Sequence, residues 1–377
     1  MSVSPVALDI YHSRIPMRSF EHAAAKRDVA EAVVVRVGFS DGSEGWGETL
    51  PRTYVTGEDI DSVTRDLVQT IWPAVAGRIQ GPCEGSAPSS CLVPSPLSLI
   101  PSVGTAAFCA MDLALSAGWL SKATLRPRID ARVSGVLGSV NPAKTAKRLW
   151  LFRLYGVRDF KLKLGMGEDV DRENLRLVHA RLGKAIAAGK CTLRVDVNGG
   201  WDAASTPERV AALKHYGVCV VEQPVYCKAG ELVELARRCD LPLMADESLV
   251  TMEDAVVLLA EPRVWWNIRL SKNGGFAACV RLADMAREAG VKVVAGCMVG
   301  ESGILSAAQR RLLQVIEPPT FVEGNFGRFL LKDDLTSPSP RFGYGGRLKV
   351  LRGGGLGVRV DPRKLGKYAT LVKSLRA

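Results

Sequence analysis

The sequence predicts an α/β protein built around a (β/α) barrel, and three observations predict it. Runs of β-branched and apolar residues end in an acid at Asp196 (TLRVDVNGGW), Glu222 (VCVVEQP) and Asp246 (LPLMADES), and a fourth ends in a lysine at Lys272 (WWNIRLSKNGG). These positions stand 24 to 26 residues apart, the length of one strand, one helix and two loops. Each interval holds a helical pattern: TPERVAALKHYG, GELVELARRCD and MEDAVVLLAEP. Repeated βα units with polar residues at the carboxyl end of each strand describe the active face of such a barrel.

Composition sets the outer bounds. At 377 residues, 47% hydrophobic and 24% charged, the chain is long enough for a barrel and one further domain. The net charge of +11 is spread along the chain without interleaved aromatics, so it reads as a solvated basic surface attracting anionic substrates and not as a nucleic-acid footprint. No apolar run reaches the roughly 18 to 20 residues of a membrane span, and MSVSPVALDIYHSR lacks the apolar core of a signal peptide, so a cytoplasmic location is expected. The nine cysteines are scattered and form no CxxC pair, which suits reduced thiols better than disulfides or zinc.

In chain order, VALDIYHSRIPM and AEAVVVRVGFSDGSEGWGET read as strands, with a hairpin at Asp41-Gly42. Two segments, RSFEHAAAKR at 18–27 and LPRTYVTGED from Leu50, read as polar, irregular loops. Helical patterns follow, IDSVTRDLVQTIWPAVAG and TAAFCAMDLALSAGWL, separated by a Gly/Pro/Ser-rich linker or insertion at 81–101. The barrel is expected to start near Arg132 with VSGVLGSV, and its first helix, NPAKTAKRLWLFRLYG, has Asn141 as N-cap ahead of Pro142. The second strand, DFKLKLG, puts Lys161 and Lys163 on one face, where two like charges lower each other's pKa; taken alone, a KxK reads as a solvated edge, and the acids that follow at regular intervals are what change that reading. The seventh strand is VKVVAG and the eighth FVEG. The Gly-rich RLKVLRGGGLGVRVD has neither GxGxxG spacing nor a GK[ST] ending, so it reads as a turn-rich return and not a phosphate cradle.

Three carboxylates at strand ends, with no His or Cys among them, suit a hard divalent cation such as Mg²⁺ and argue against zinc. Such a metal would bind a substrate carboxylate and stabilise the enediolate formed when the α-proton leaves.

The series KLK, VDVN, VEQP, ADES and SKNGG, in order and register over about residues 130–330, resembles the enolase superfamily, specifically its muconate-lactonizing-enzyme-like subgroup. The resemblance implies a modified (β/α)7β TIM-type barrel at 131–330, with an α+β capping domain at 1–130 completed by a C-terminal segment at 331–377. It implies Mg²⁺, or Mn²⁺, held by Asp196, Glu222 and Asp246. It also implies Lys163 and Lys272 as an acid/base pair on opposite faces of the substrate, with Lys161 supporting the enolate charge or tuning Lys163. Asn198 and Glu247 would orient ligands or Lys272, or be structural. The two loops over the barrel mouth make Phe20, His22, Arg52, Tyr54 and Thr56 specificity candidates.

The resemblance implies a Mg²⁺-dependent enzyme that abstracts the α-proton of a carboxylate, followed by cycloisomerisation or syn-elimination of an anionic (di)carboxylate. Racemisation or epimerisation of dipeptides or N-acylamino acids is the alternative. Dipeptide epimerases of the subgroup usually carry Asp-x-Asp at the eighth strand; here the place reads Glu323-Gly-Asn325 with Arg328 nearby, which weakens the dipeptide reading. None of His12, His22, His179 and His215 ends the seventh strand, so a mandelate-racemase-like histidine base is absent. A non-catalytic barrel that serves in binding is the rival from another class, and the intact acids and lysines speak against it. A small-molecule carboxylate is the expected partner, in a homo-oligomer, as is common in the family.

Overall fold

The computed structural model describes residues 3–22, 25–78, 103–120 and 125–377, so the Gly/Pro/Ser-rich stretch at 81–101 lies outside the described residues. The chain opens with β1 (Pro5–His22), β2 (Ala25–Phe39) and β3 (Glu44–Thr49). Segment 18–27, expected as an irregular loop, instead carries the hairpin onward. Past a register shift between Pro16 and Phe20, Phe20 pairs with Arg27 and His22 with Ala25. Antiparallel backbone pairing needs no apolar side chain, so polar composition alone was a poor guide there.

Short helices α1 (Thr53–Thr56), α2 (Ile60–Asp66) and α3 (Trp72–Val75) lead towards α4 (Thr105–Leu120). Helix α4 lies backbone-close on β3: a Cβ added to Gly45 or Gly47 would meet the carbonyl oxygens of Ala114 and Ala110 at 1.9 and 1.8 Å.

The larger part alternates strand and helix. Its strands are β4 (Gly135–Leu137), β5 (Asp159–Lys163), β6 (Thr192–Asp196), β7 (Val218–Glu222), β8 (Leu243–Ala245), β9 (Trp265–Ile268), β10 (Val293–Ala295) and β11 (Phe321–Val322). The intervening helices are α5 (Pro142–Leu154), α6 (Glu168–Ala187), α7 (Thr206–Leu213), α8 (Ala229–Arg237), α9 (Met252–Leu258), α10 (Phe276–Glu288) and α11 (Gly303–Val315). Asn141 caps α5 as its sequence suggests, accepting from the Ala143 amide at 3.0 Å. The eight strands form one parallel sheet in sequence order. Its two edges meet at a parallel bridge between Val133 and Val322, where the Ser134 amide donates to the Val322 carbonyl at 2.8 Å.

After β11, β12 (Thr336–Ser337) pairs with β13 (Arg359–Val360), α12 (Pro362–Tyr368) follows, and β14 (Ala369–Arg376) adds to β1, giving an antiparallel sheet ordered β14-β1-β2-β3. No helix among the described residues is long and apolar enough to cross a membrane, and the described cysteines are free thiols.

Buried carboxylates pin the first layer to the second through helix N-termini. Glu48 of β3 accepts from Ser302 N and Leu305 N at the start of α11, and Asp112 of α4 accepts from Phe276 N at the start of α10. Burial pushes Glu48 up from 4.5 to about 7 and Asp112 from 3.8 to about 6. A raised carboxyl binds its proton more tightly folded than unfolded. Glu48 therefore adds stability below pH 4.5 that is lost as pH rises through about 7. Denaturant titration of Glu48→Gln is expected to show a deficit against the parent that narrows by on the order of 2 kcal/mol between pH 5 and pH 8. A gap independent of pH would contradict this reading.

Candidate active site

The polar groups predicted at strand ends fall together because neighbouring strands hold matching register. Lys163, the last residue of β5, is paired with Asp196, the last of β6, and Asp196 with Glu222, the last of β7. Asp246 follows β8 directly. All three acids are fully buried.

Their charge is met by cations from the chain itself. Lys161 Nζ lies 3.1 Å from Asp196, 3.1 Å from Glu222 and 2.7 Å from Glu323. Burial opposes its charge, but Glu222, Glu323 and Asp196 outweigh burial and hold the ammonium well above the usual lysine range. For Lys161 that reverses the lowering expected from a like-charged neighbour. Lys163 Nζ donates to Asp196 Oδ2 at 2.6 Å and Asn198 Oδ1 at 2.7 Å, so Asn198, at a positive φ of 49°, orients this lysine. Burial works against the Asp196 charge too, yet Lys163 and Lys161 depress it well below the carboxylate range. Burial, with Asp196 alongside, pushes Glu222 up to about 8.

Lys272 lies elsewhere than expected. It sits four residues beyond the end of β9, fully buried, with Nζ donating to the carbonyls of Asp246 at 2.6 Å and Asn267 at 2.8 Å and to Asp246 Oδ1 at 3.0 Å. The residue directly after β9 is Arg269, which sequence reasoning missed. Its Nη2 donates to Asp246 Oδ2 and lies 3.3 Å from Glu222 Oε1. The usable signal was distance from the strand end: Lys163, Asp196, Glu222 and Asp246 all stand at or one past it, and Arg269 obeys that rule where Lys272 does not.

A cavity of about 540 Å³ opens on this centre, lined by Lys161, Lys163, Arg269, Glu301, Glu323 and Asn325 among others; Lys272 is not in its wall. Burial pushes Glu301 up to about 8. Glu323 is no free acid: beside Lys161, it accepts from Arg194 Nη2 at 2.6 Å, and Arg194 stacks over Phe321. Asn325 is likewise held, accepting from Arg310 at 2.6 Å and donating to Gln309 at 2.6 Å.

Of the other specificity candidates, those described do not gather here. The side chains of Phe20 and His22 lie outside the described residues. Buried Arg52 donates to the carbonyls of Glu31 and Pro51, Tyr54 packs on the main core, and Thr56 Oγ1 accepts from the Glu58 amide at 3.4 Å. None of the three lines the cavity.

Among the described residues, no three His, Cys, Asp or Glu side chains converge to hold a metal as they stand, because Arg269 and Lys161 lie between the carboxylates. The donor set nevertheless fits a hard divalent cation: three carboxylates on neighbouring strand ends, whose charge is met by the long, flexible side chains of Lys161, Lys163, Arg269 and Lys272. Beside them Glu247 Oε2 and Asn267 Oδ1 are buried oxygens without a donor. Burial, then Asp246, raise Glu247 to about 7, and its other oxygen is 3.4 Å from Asn198 Nδ2.

Residues 143–364, more than half of the chain, match the family described as enolase C-terminal domain-like. N-succinyl-L-Arg/Lys racemase of Bacillus cereus is 29% identical over 312 residues, covering 80% of this chain and 82% of that protein. Muconate cycloisomerase 1 of Pseudomonas putida is 30% identical over 250 residues, 65% of this chain and 64% of that one. The solved structure of a muconate lactonizing enzyme from Pseudomonas fluorescens, complexed with muconolactone, aligns with a TM-score of 0.84 at 27% identity, covering 98% of this chain and 100% of its own.

Proposed function

We propose an activity for this chain from one premise: it belongs to the enolase C-terminal domain-like family. Its relatives include cycloisomerases, racemases and epimerases, in keeping with the resemblance drawn from the sequence. The chain is an enzyme that removes the α-proton of a carboxylate and then cycloisomerises or syn-eliminates an anionic (di)carboxylate. The parallel sheet is read as a closed (β/α)7β barrel at 131–330 under a cap made from 1–130 and 331–377.

One observation carries the choice within the family. Lys163 and Arg269 both line the cavity, and Lys272, the expected second proton carrier, is not in its wall. A guanidinium keeps its proton, so Arg269 serves as a fixed cation and Lys163 Nζ as the atom that moves the proton. Racemisation needs a carrier on each face of the carbon, and the paired state of Glu323 leaves no free acid at β11 for a substrate ammonium. Both features favour the cycloisomerase or eliminase reading.

Asp196, Glu222 and Asp246 would hold Mg²⁺, which supplies neutralisation of the charge that builds as the proton leaves. Asn198 and Asp196 fix the position of Lys163 Nζ. Lys161, kept charged by its acids, contributes a permanent positive field beside it.

The test is a D₂O screen of muconates, the o-succinylbenzoate precursor, N-succinylamino acids and dipeptides with Mg²⁺ and with EDTA. Metal-dependent exchange or turnover of a dicarboxylate is expected. If no carboxylate in the screen exchanged or turned over, the reading would fall.

A further inference from the structure

We propose that Arg148 is an anion anchor of the substrate cavity, so that the preferred substrate is a carboxylate with an apolar or aromatic body and a second anionic group. The inference deepens the proposed function, and rests on it for the identity of the reacting end.

Helix α5 turns one stripe inward: Thr145 and Leu149 are buried, and Arg148 and Phe152, one turn apart, both line the cavity that Lys163 lines. A buried arginine elsewhere in this chain has a partner. Arg194 and Arg269 meet acids, and Arg310 and Arg311 meet carbonyls. Arg148 is half-buried and has no hydrogen bond or ion pair among the described residues. Burial alone lowers its pKa from the arginine value, with no carboxylate acting on it. A desolvated guanidinium facing a cavity without a counter-charge loses stability unless a ligand supplies one.

The surrounding wall says what else that ligand carries. Phe152, Phe326, Phe329 and Phe342 line the same cavity, and Phe342 packs against Phe326 and Phe329 at centroid distances of 5.5 and 5.1 Å. A mainly apolar, aromatic wall takes an apolar body, and beside it a charge-assisted pair with a guanidinium strengthens.

The decisive probe pair is 3-(4-carboxyphenyl)propanoate and its neutral-ended isostere 3-(4-carbamoylphenyl)propanoate, titrated calorimetrically against the whole protein with Mg²⁺. The parent is expected to bind the dianion about 10- to 100-fold more tightly, the range of one charge-assisted contact. Arg148→Gln should bring the two affinities together, Arg148→Lys should restore part of the gap, and neither should lower Tm by much, since no hydrogen bond or ion pair among the described residues is lost. A parent that does not discriminate, or an Arg148→Gln variant that still does, would overturn the proposal. Because the readout is binding, it decides on Arg148 even if the D₂O screen fails; a positive screen with no discrimination would spare the reaction and sink the anchor.

Discussion

Lys163→Ala is expected to reduce α-proton exchange by about 10²- to 10⁴-fold, the range that a positioned acid/base group contributes. The amino group stands at the last position of β5, in the cavity wall, fixed by Asp196 and Asn198 at 2.6 and 2.7 Å. Removing it leaves Asp196 with Lys161 at 3.1 Å, so the acid keeps a cation and the fold should survive with little change in Tm. Deuterium incorporation followed by NMR, with circular dichroism as the fold control, separates lost chemistry from lost structure. Exchange at near the parental rate in Lys163→Ala would remove this residue from the proton path.

Lys161→Met is expected to have the largest effect on stability. The ammonium is fully buried and stands between Asp196, Glu222 and Glu323; its removal leaves buried acids facing one another with one cation fewer. Breaking a buried ion network in this way costs about 3 to 5 kcal/mol. The pH dependence follows from the pKa directions. In the parent, Asp196 and Glu323 are depressed below their ordinary values, so they add stability above those values that is lost as pH falls. The variant forfeits that contribution, so its deficit should hold from neutral pH down to the ordinary values of 4.5 and 3.8 and shrink only below them, measured by denaturant titration in EDTA. A deficit that grew on acidification would show that Lys161 is not the group holding these acids charged.

What the sequence made legible followed strand periodicity. Asp196, Glu222, Asp246 and Lys163 could be placed because a run of β-branched residues marks where each strand ends, and parallel register then brings those ends side by side. The choice between Arg269 and Lys272 turned on where β9 stops. Ile268 is its last residue, and in the run WWNIRLSKNGG nothing local distinguishes a stop there from one three residues later. The partners of Glu323 were out of reach for another reason. Lys161 and Arg194 come from strands more than a hundred residues away in the chain, and only the folded sheet brings them to it. Arg148 was illegible as well, since a basic residue in an amphipathic helix reads as solvated until the packing of α5 turns it inward. The strand extension through 18–27 shows the opposite error, where polar composition concealed regular backbone pairing.

The most direct test is stereochemical. One enantiomer of an α-substituted dicarboxylate that passes the D₂O screen is incubated with the parent enzyme and Mg²⁺ in D₂O, while deuterium content and enantiomeric composition are followed together. With Lys163 the sole proton carrier and Arg269 a fixed cation, deuterium enters from one face and the enantiomeric composition stays unchanged as exchange proceeds. Racemisation keeping pace with exchange would contradict this, because it requires a second proton carrier on the opposite face of the α-carbon.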